Sequence, residues 1–212
     1  MIEIPFYNDF YSLILPDNHK EIIEHCLNAT ELPEESFQWG EVCLSEKVYL
    51  KLTGFTELLH PFIVEILSRV VEVPYSFSIE EIWKNTYHRN YHQEQHDHRG
   101  YELSFVIFME DYKENDAKFY FVNERNRLTP STWMDLAWSK MPDDIHINTK
   151  RGEILFFPSH MLHGVSPHLS DEPRITISGN ISLYDLRQEN PNARIIDLSL
   201  IHISEPTRRV LI

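Results

Sequence analysis

The chain is short of several things at once. Two cysteines, Cys26 and Cys43, stand in 212 residues, too few for a disulfide framework or a four-cysteine zinc site. No run of about eighteen apolar residues occurs, so no transmembrane helix is expected. The opening Met1-Ile2-Glu3-Ile4-Pro5 lacks the basic and then apolar pattern of a signal peptide, and the cytoplasm is the expected compartment. There is no internal repeat and no low-complexity linker. Positive charge is scarce: 19 Lys and Arg face 33 Asp and Glu, a net charge of −14. A nucleic-acid partner needs a basic face, and an anionic membrane repels such a chain, so neither is expected.

What is present suits a folded protein. Hydrophobic residues make up 42% and charged residues 25%, a balance that argues against disorder. Twelve Phe and ten Tyr can fill a core, and the length fits one larger domain or two small ones. Helices are expected from the Pro16-Asp17-Asn18 cap through Glu21-Ile22-Ile23-Glu24 towards Leu27, and over residues 56–70, with Pro61 tolerated in the first turn. A strand fits within 42–52. From Tyr75 the texture turns to β-branched and aromatic runs: 77–87, 103–109, 119–122, 145–148, 154–157, 162–165 and 174–184. The first of these is ambiguous, because Ser78 and Glu81 also make a capping box. Short, evenly spaced strands point to a sandwich or barrel. The division expected is 1–75 as a mixed helical support, 76–190 as the β core and 191–212 as a tail. Residues 111–116 and 123–132 read as surface loops, the latter a place for substrate contacts.

Three pieces carry chemistry. His96-Asp97-His98 precedes the run 103–108, and on extended chain residues i and i+2 share a side, so both imidazoles can face one metal ion. Gly152-Glu153-Ile154-Leu155-Phe156-Phe157-Pro158-Ser159 leads to His163-Gly164-Val165, a third imidazole far along the chain. Arg174 and Thr176 share a face of the last run, where a guanidinium can hold a carboxylate bidentately. Each piece alone has a plainer reading: polar strand-edge histidines, a hydrogen-bonded structural histidine, a surface ion pair. His88, His92 and His96 also lie four apart, as on one helix face, although Gly100 and the strand-like run after it oppose a long helix. His160 and His168 are candidates for supporting roles.

In this order and spacing, the pieces resemble the iron(II)- and 2-oxoglutarate-dependent oxygenases, and among them a small group from marine phages and bacteria. The resemblance runs from Trp83-Lys84-Asn85 to Arg174-Ile175-Thr176-Ile177-Ser178-Gly179-Asn180. It implies a double-stranded β-helix core, the jelly roll shared with cupins, so that with the helices read above the expected fold is mostly β with N-terminal helices. It implies His163 as the distal iron ligand, with Arg174 pairing the far carboxylate of 2-oxoglutarate. Thr176, Ser178, Asn180 and Asn85 are the further cosubstrate candidates.

One departure stands out. The usual proximal pair is His-x-Asp or His-x-Glu, and here His98 occupies the second position. Three solutions are open: a three-histidine site of His96, His98 and His163; a His92-x-Glu94 pair; or Asp97 turned inward through a bulge. The group resembled carries two histidines there, which favours the first. Three neutral imidazoles leave iron(II) with its whole charge, which suits an anionic cosubstrate. The implied reaction is hydroxylation of a small molecule or protein side chain, with release of succinate and carbon dioxide. Trp83, Tyr91 and Tyr101 are candidates for the pocket wall. A cupin is the rival reading, in which Glu102 joins the histidines and 2-oxoglutarate is not used; a non-catalytic jelly-roll module is the third. The segment from Ser199 to Arg208 resembles the translation of a sequencing adapter and is expected to be no part of the fold.

Overall fold

The computed structural model describes residues 10–38, 45–123 and 144–187. The expected substrate-contact loop and the tail, including the adapter-like segment, lie outside these residues. The chain runs β1 (Ser12–Ile14), α1 (His19–Asn28), β2 (Glu31–Gln38), β3 (Glu46–Leu50), α2 (Phe55–Val70), β4 (Tyr75–Tyr87) and β5 (Gln93–His96). It continues with β6 (Leu103–Phe108), β7 (Phe119–Val122), β8 (Asp144–His146), β9 (Ile154–Pro158), β10 (His163–Val165) and β11 (Arg174–Asp185). It is mostly β, in two antiparallel sheets: seven strands in the order β1-β9-β6-β11-β4-β3-β2, and four in the order β5-β10-β7-β8. Among the described residues, no helix is long and apolar enough to cross a membrane.

The period-two rule explains the layers. β6 and β9 are buried along their whole length, so their alternation divides two apolar layers rather than core from solvent. Phe105, Ile107, Ile154 and Phe156 pack with Ile22, Leu59, Ile63 and Leu67 of the helices. Val106, Phe108, Leu155 and Phe157 point the other way, to Phe119, Phe121 and Val165 of the smaller sheet. On β11 the odd residues Ile175, Ile177 and Ile181 belong to the helix layer. The even residues Arg174, Thr176, Ser178 and Asn180 are buried polar groups on the opposite face.

β4 makes the same division after a bulge. Asn180 pairs with Glu81 and Ile181 with Ile79, which leaves Glu80 unmatched. The extra residue exchanges the faces of the strand. Ile79 therefore packs with the helices, while Trp83, Asn85 and Tyr87 turn inward with the polar face of β11. At Gly179 a Cβ would come within 2.5 Å of Phe105 Cζ and 2.7 Å of the Glu81 carbonyl oxygen, so only glycine allows the three strands to meet there.

Several local expectations change. Residues 77–87 lie within a strand, not a capped helix. α2 begins at Phe55, which puts Pro61 in its second turn, where the missing N–H leaves the Glu57 carbonyl without its helical donor. Asn18 is the N-cap of α1, but its side chain makes no capping bond. β1, β2 and β5 arise where no strand was expected, and β1 and β3 bind the N-terminal part directly to the main sheet through β9 and β4.

Candidate metal centre

The two histidine pieces meet because β5 and β10 are neighbours in the smaller sheet, with His163 directly opposite His96. Directly opposed residues share a face and stand within side-chain contact. Their ring centroids are 4.4 Å apart. His98 follows β5 and is fixed by its own N–H, which donates to the Ser159 carbonyl at 2.8 Å. Its ring lies 5.1 Å from His96 and 5.2 Å from His163. The three residues offer ligand nitrogens that all lie within 4.8 Å of one another.

The ring orientations suit a cation. His96 Nδ1 contacts the Glu94 carbonyl at 2.7 Å, and His163 Nδ1 the Met161 carbonyl at 2.7 Å. A carbonyl only accepts, so both Nδ1 atoms carry the proton and each Nε2 keeps a lone pair. His98 is hydrogen-bonded to the Asn180 side chain. Asn180 also accepts from Ser104 Oγ at 2.8 Å and donates to Glu81 Oε1 at 2.7 Å. Burial holds all three imidazoles below their ordinary pKa, His98 down to about 3 with the neighbouring His96 and Lys47 assisting. Neutral rings with outward lone pairs are the protonation state that metal binding requires.

The other candidate ligands go elsewhere. Asp97 accepts from the Arg99 N–H and pairs with its Nε at 2.8 Å. Glu94 is exposed. Glu102 is exposed, accepts the Leu183 N–H at 2.8 Å and is not among the residues that line the cavity described below. His168 is fully buried but structural, accepting from the Ala117 N–H and donating to the Glu172 carbonyl.

A cavity of about 570 Å³, counted with its open mouth, joins the histidines to Arg174. Asn85, Thr176 and Ser178 line it. Asn85 Nδ2 donates to Ser178 Oγ at 3.1 Å, and Gln93 Nε2 to Asn85 Oδ1 at 3.3 Å. Trp83 forms one wall, stacked on His98 at 5.6 Å and 13°, whereas Tyr91 and Tyr101 are not among the lining residues. Asn180 also leaves the expected cosubstrate set: its amide is engaged behind the histidines, by Ser104, Glu81 and His98. Arg174 is 3% exposed. Its Nη2 donates to Thr149 Oγ1 at 3.0 Å, Asp116 Oδ2 stands 4.0 Å from Nη1, and Nη1 has no hydrogen-bond partner. A buried guanidinium nitrogen without an acceptor is costly and fits a site that receives an anion. Gln93, Thr149 and Asp116 carried no local sequence signal, since each joins the site through pairing distant along the chain.

Comparison with known proteins gives one family match and a set of shared folds. Residues 81–180 match the family described as "Putative 2OG-Fe(II) oxygenase". No curated protein sequence matches. Among solved structures, the epimerase SnoN in complex with Fe3+, alpha ketoglutarate and nogalamycin RO superposes with a TM-score of 0.59 at 15% identity, covering 84% of this chain and 81% of its own. HygX from Streptomyces hygroscopicus, with nickel, 2-oxoglutarate and hygromycin B bound, gives 0.54 at 12% identity, covering 81% and 82%. A Pseudomonas putida prolyl-4-hydroxylase gives 0.56 at 14%, covering 82% and 93%. These likenesses establish a shared fold. The family match spans residues 81–180, a little under half of the chain.

Proposed function

We propose that this protein is an iron(II)- and 2-oxoglutarate-dependent oxygenase in which His96, His98 and His163 hold the metal and Arg174 holds the far carboxylate of the cosubstrate. The observation that carries this reading is a single cavity with three neutral imidazoles at one place and a buried guanidinium nitrogen that makes no hydrogen bond at another. The donor set fits iron(II): imidazole is a ligand it accepts, and three protein ligands leave positions for cosubstrate and oxygen. With iron(II) and 2-oxoglutarate bound, the chemistry available is oxygen activation coupled to hydroxylation of a C–H bond, with release of succinate and carbon dioxide.

The residues present do the rest. Arg174 fixes one end of the cosubstrate and so sets the position of the other. Thr176 and Ser178 line the wall beside it, held by the Asn85 amide. Asn180, tied to Glu81, orients the His98 ring. Phe119 and Phe157 pack against His163, at 5.3 and 4.8 Å, and keep water from its flank. In this reading residues 76–190 form a double-stranded β-helix core, residues 1–75 support it, and the substrate is a small molecule or a protein side chain. The placement of Glu102 at the Leu183 N–H opposes a four-ligand cupin site.

The test is an anaerobic iron(II) titration with and without 2-oxoglutarate, followed by visible absorbance. A charge-transfer band that needs both components is expected. Iron binding without the band, or no iron binding, contradicts the reading.

A further inference from the structure

Glu81 is a carboxylate on the face of β4 that carries the cavity, yet it is not among the cavity's lining residues. The bulge at Glu80 sets residues 81, 83, 85 and 87 on one face, and Trp83, Asn85 and Tyr87 line the cavity. Glu81 instead stands directly opposite Asn180 of β11, and Asn180 stands directly opposite Ser104 of β6. Opposed residues share a face, so three polar side chains form a row across three strands. Asn180 is 0% and Ser104 2% exposed. Asn180 Nδ2 donates to Glu81 Oε1 at 2.7 Å, and Ser104 Oγ donates to Asn180 Oδ1 at 2.8 Å. Ser159 closes the row: its Oγ stands 2.8 Å from Ser104 Oγ, and its carbonyl accepts the His98 backbone N–H. The row therefore backs onto His98, whose ring is hydrogen-bonded to Asn180.

The row has a direction. An amide nitrogen only donates and an amide oxygen only accepts. Nδ2 of Asn180 is turned to the carboxylate, and Oδ1 is the atom that can accept from His98. With one ring nitrogen of His98 on the metal, the other carries the proton and donates to that oxygen. Hydrogen bonds in a chain polarise one another where water is excluded. Negative charge at Glu81 thus leaves more electron density on Oδ1, which makes it a stronger acceptor. A stronger acceptor behind the ring makes the opposite nitrogen a stronger donor to the metal. A purely structural tie has no use for the charge, because a glutamine oxygen would accept from Asn180 equally well.

We propose that Glu81 is a positioning residue for the metal centre that acts through Asn180, its negative charge reaching His98 along the amide and replacing, from behind the ring, the carboxylate absent from the ligand set. This inference rests on the oxygenase reading for its three-histidine metal site. A nearby negative charge and a stronger imidazole donor both stabilise iron(III) more than iron(II), because the higher charge gains more. Glu81 therefore holds the iron(III)/iron(II) potential down.

The test uses the full chain loaded anaerobically with iron(II), without 2-oxoglutarate. It is run at pH 6.5, below the value of about 8 to which burial lowers Lys47, so that this neighbouring cation, on which Glu81 also acts, keeps its charge. Iron(II) affinity is read by competition with a chelator, and the potential by a mediated redox titration. Glu81→Gln keeps the size and the acceptor for Asn180 and removes the charge. It should weaken iron(II) binding by about tenfold. Iron(III) binding should weaken by about tenfold more, which raises the potential by about 59 mV. Glu81→Asp keeps the charge and should show less than half of that rise, with thermal melting showing that both variants are folded. A wild-type measurement stands beside the variants in case they do not fold. In the diamagnetic zinc(II) form, the ring N–H proton of His98 should resonate farther downfield than those of His96 and His163, whose acceptors are backbone carbonyls. A folded Glu81→Gln with an unmoved potential overturns the proposal, as does a Glu81→Asp that shifts as far as Glu81→Gln. A His98 proton no farther downfield than the other two overturns it as well. Absence of the visible band with 2-oxoglutarate in the wild-type chain sinks the oxygenase reading instead, and failure to bind iron sinks both, so the failures are distinguishable.

Discussion

Arg174→Gln isolates the anchor of the cosubstrate from the metal. In the structure the guanidinium is 3% exposed, spends Nη2 on Thr149 and leaves Nη1 without a hydrogen bond. A carboxylate arriving there gains up to two charge-assisted hydrogen bonds, each about 1.5–3 kcal/mol. Truncating one member of a buried charge pair costs about 3–5 kcal/mol, because the other charge stays buried and uncompensated. Asp116, 4.0 Å from Nη1, adds to that cost: once the guanidinium is gone it faces the incoming carboxylate as a like charge. The dissociation constant for 2-oxoglutarate should therefore rise by about two to three orders of magnitude or more. The assay is an anaerobic titration of the iron(II) form with 2-oxoglutarate, read by the charge-transfer band, with far-UV circular dichroism showing an intact fold. Iron affinity should be unaltered, since Arg174 offers no lone pair. Arg174→Lys keeps the charge but loses the fork, and should fall between. A folded Arg174→Gln that binds 2-oxoglutarate within about threefold of wild type, well under the cost of one such bond, refutes the assignment.

Three more outcomes follow from particular contacts. Asn180→Ala removes the amide between His98 and Glu81, and should weaken metal binding by about 10–100-fold in a competition titration, with the ring left to rotate. Gly179→Ala forces a methyl against Phe105 and the Glu81 carbonyl, and should lower stability by about 1–3 kcal/mol in denaturant unfolding. For Lys47 the folded pKa of about 8 lies below the ordinary 10.5 of the unfolded chain, so the unfolded state binds more protons between those values. The unfolding free energy of wild type relative to Lys47→Met should then rise by about 3 kcal/mol from pH 8 to pH 10.5 and stay flat below pH 8; a difference that is flat across the window means that Lys47 is not held in a desolvated place.

The parts of the fold legible in the sequence were those written locally. β6 and β9 announce themselves as β-branched and aromatic runs, and β11 as an alternation of Ile with Arg, Thr and Ser. His96 and His98 share one short segment, and their spacing alone shows that one metal can hold both. β5, by contrast, reads Gln-Glu-Gln-His, with no apolar period to mark it, yet its register sets His96 opposite His163. The bulge at Glu80 leaves no residue signature, and it decides that Trp83, Asn85 and Tyr87 face inward. Asn180 entered the cosubstrate set through the family resemblance; its amide is instead engaged by Ser104, Glu81 and His98.

The central claim is that three imidazoles and no carboxylate hold the iron. X-ray absorption at the iron edge of the anaerobic iron(II) form with 2-oxoglutarate, beside His98→Ala, tests it most directly. Three coordinated imidazoles in the wild-type chain, and two in the variant, are predicted. Two imidazoles in both, with an oxygen ligand from Asp97 or Glu94, would contradict the account.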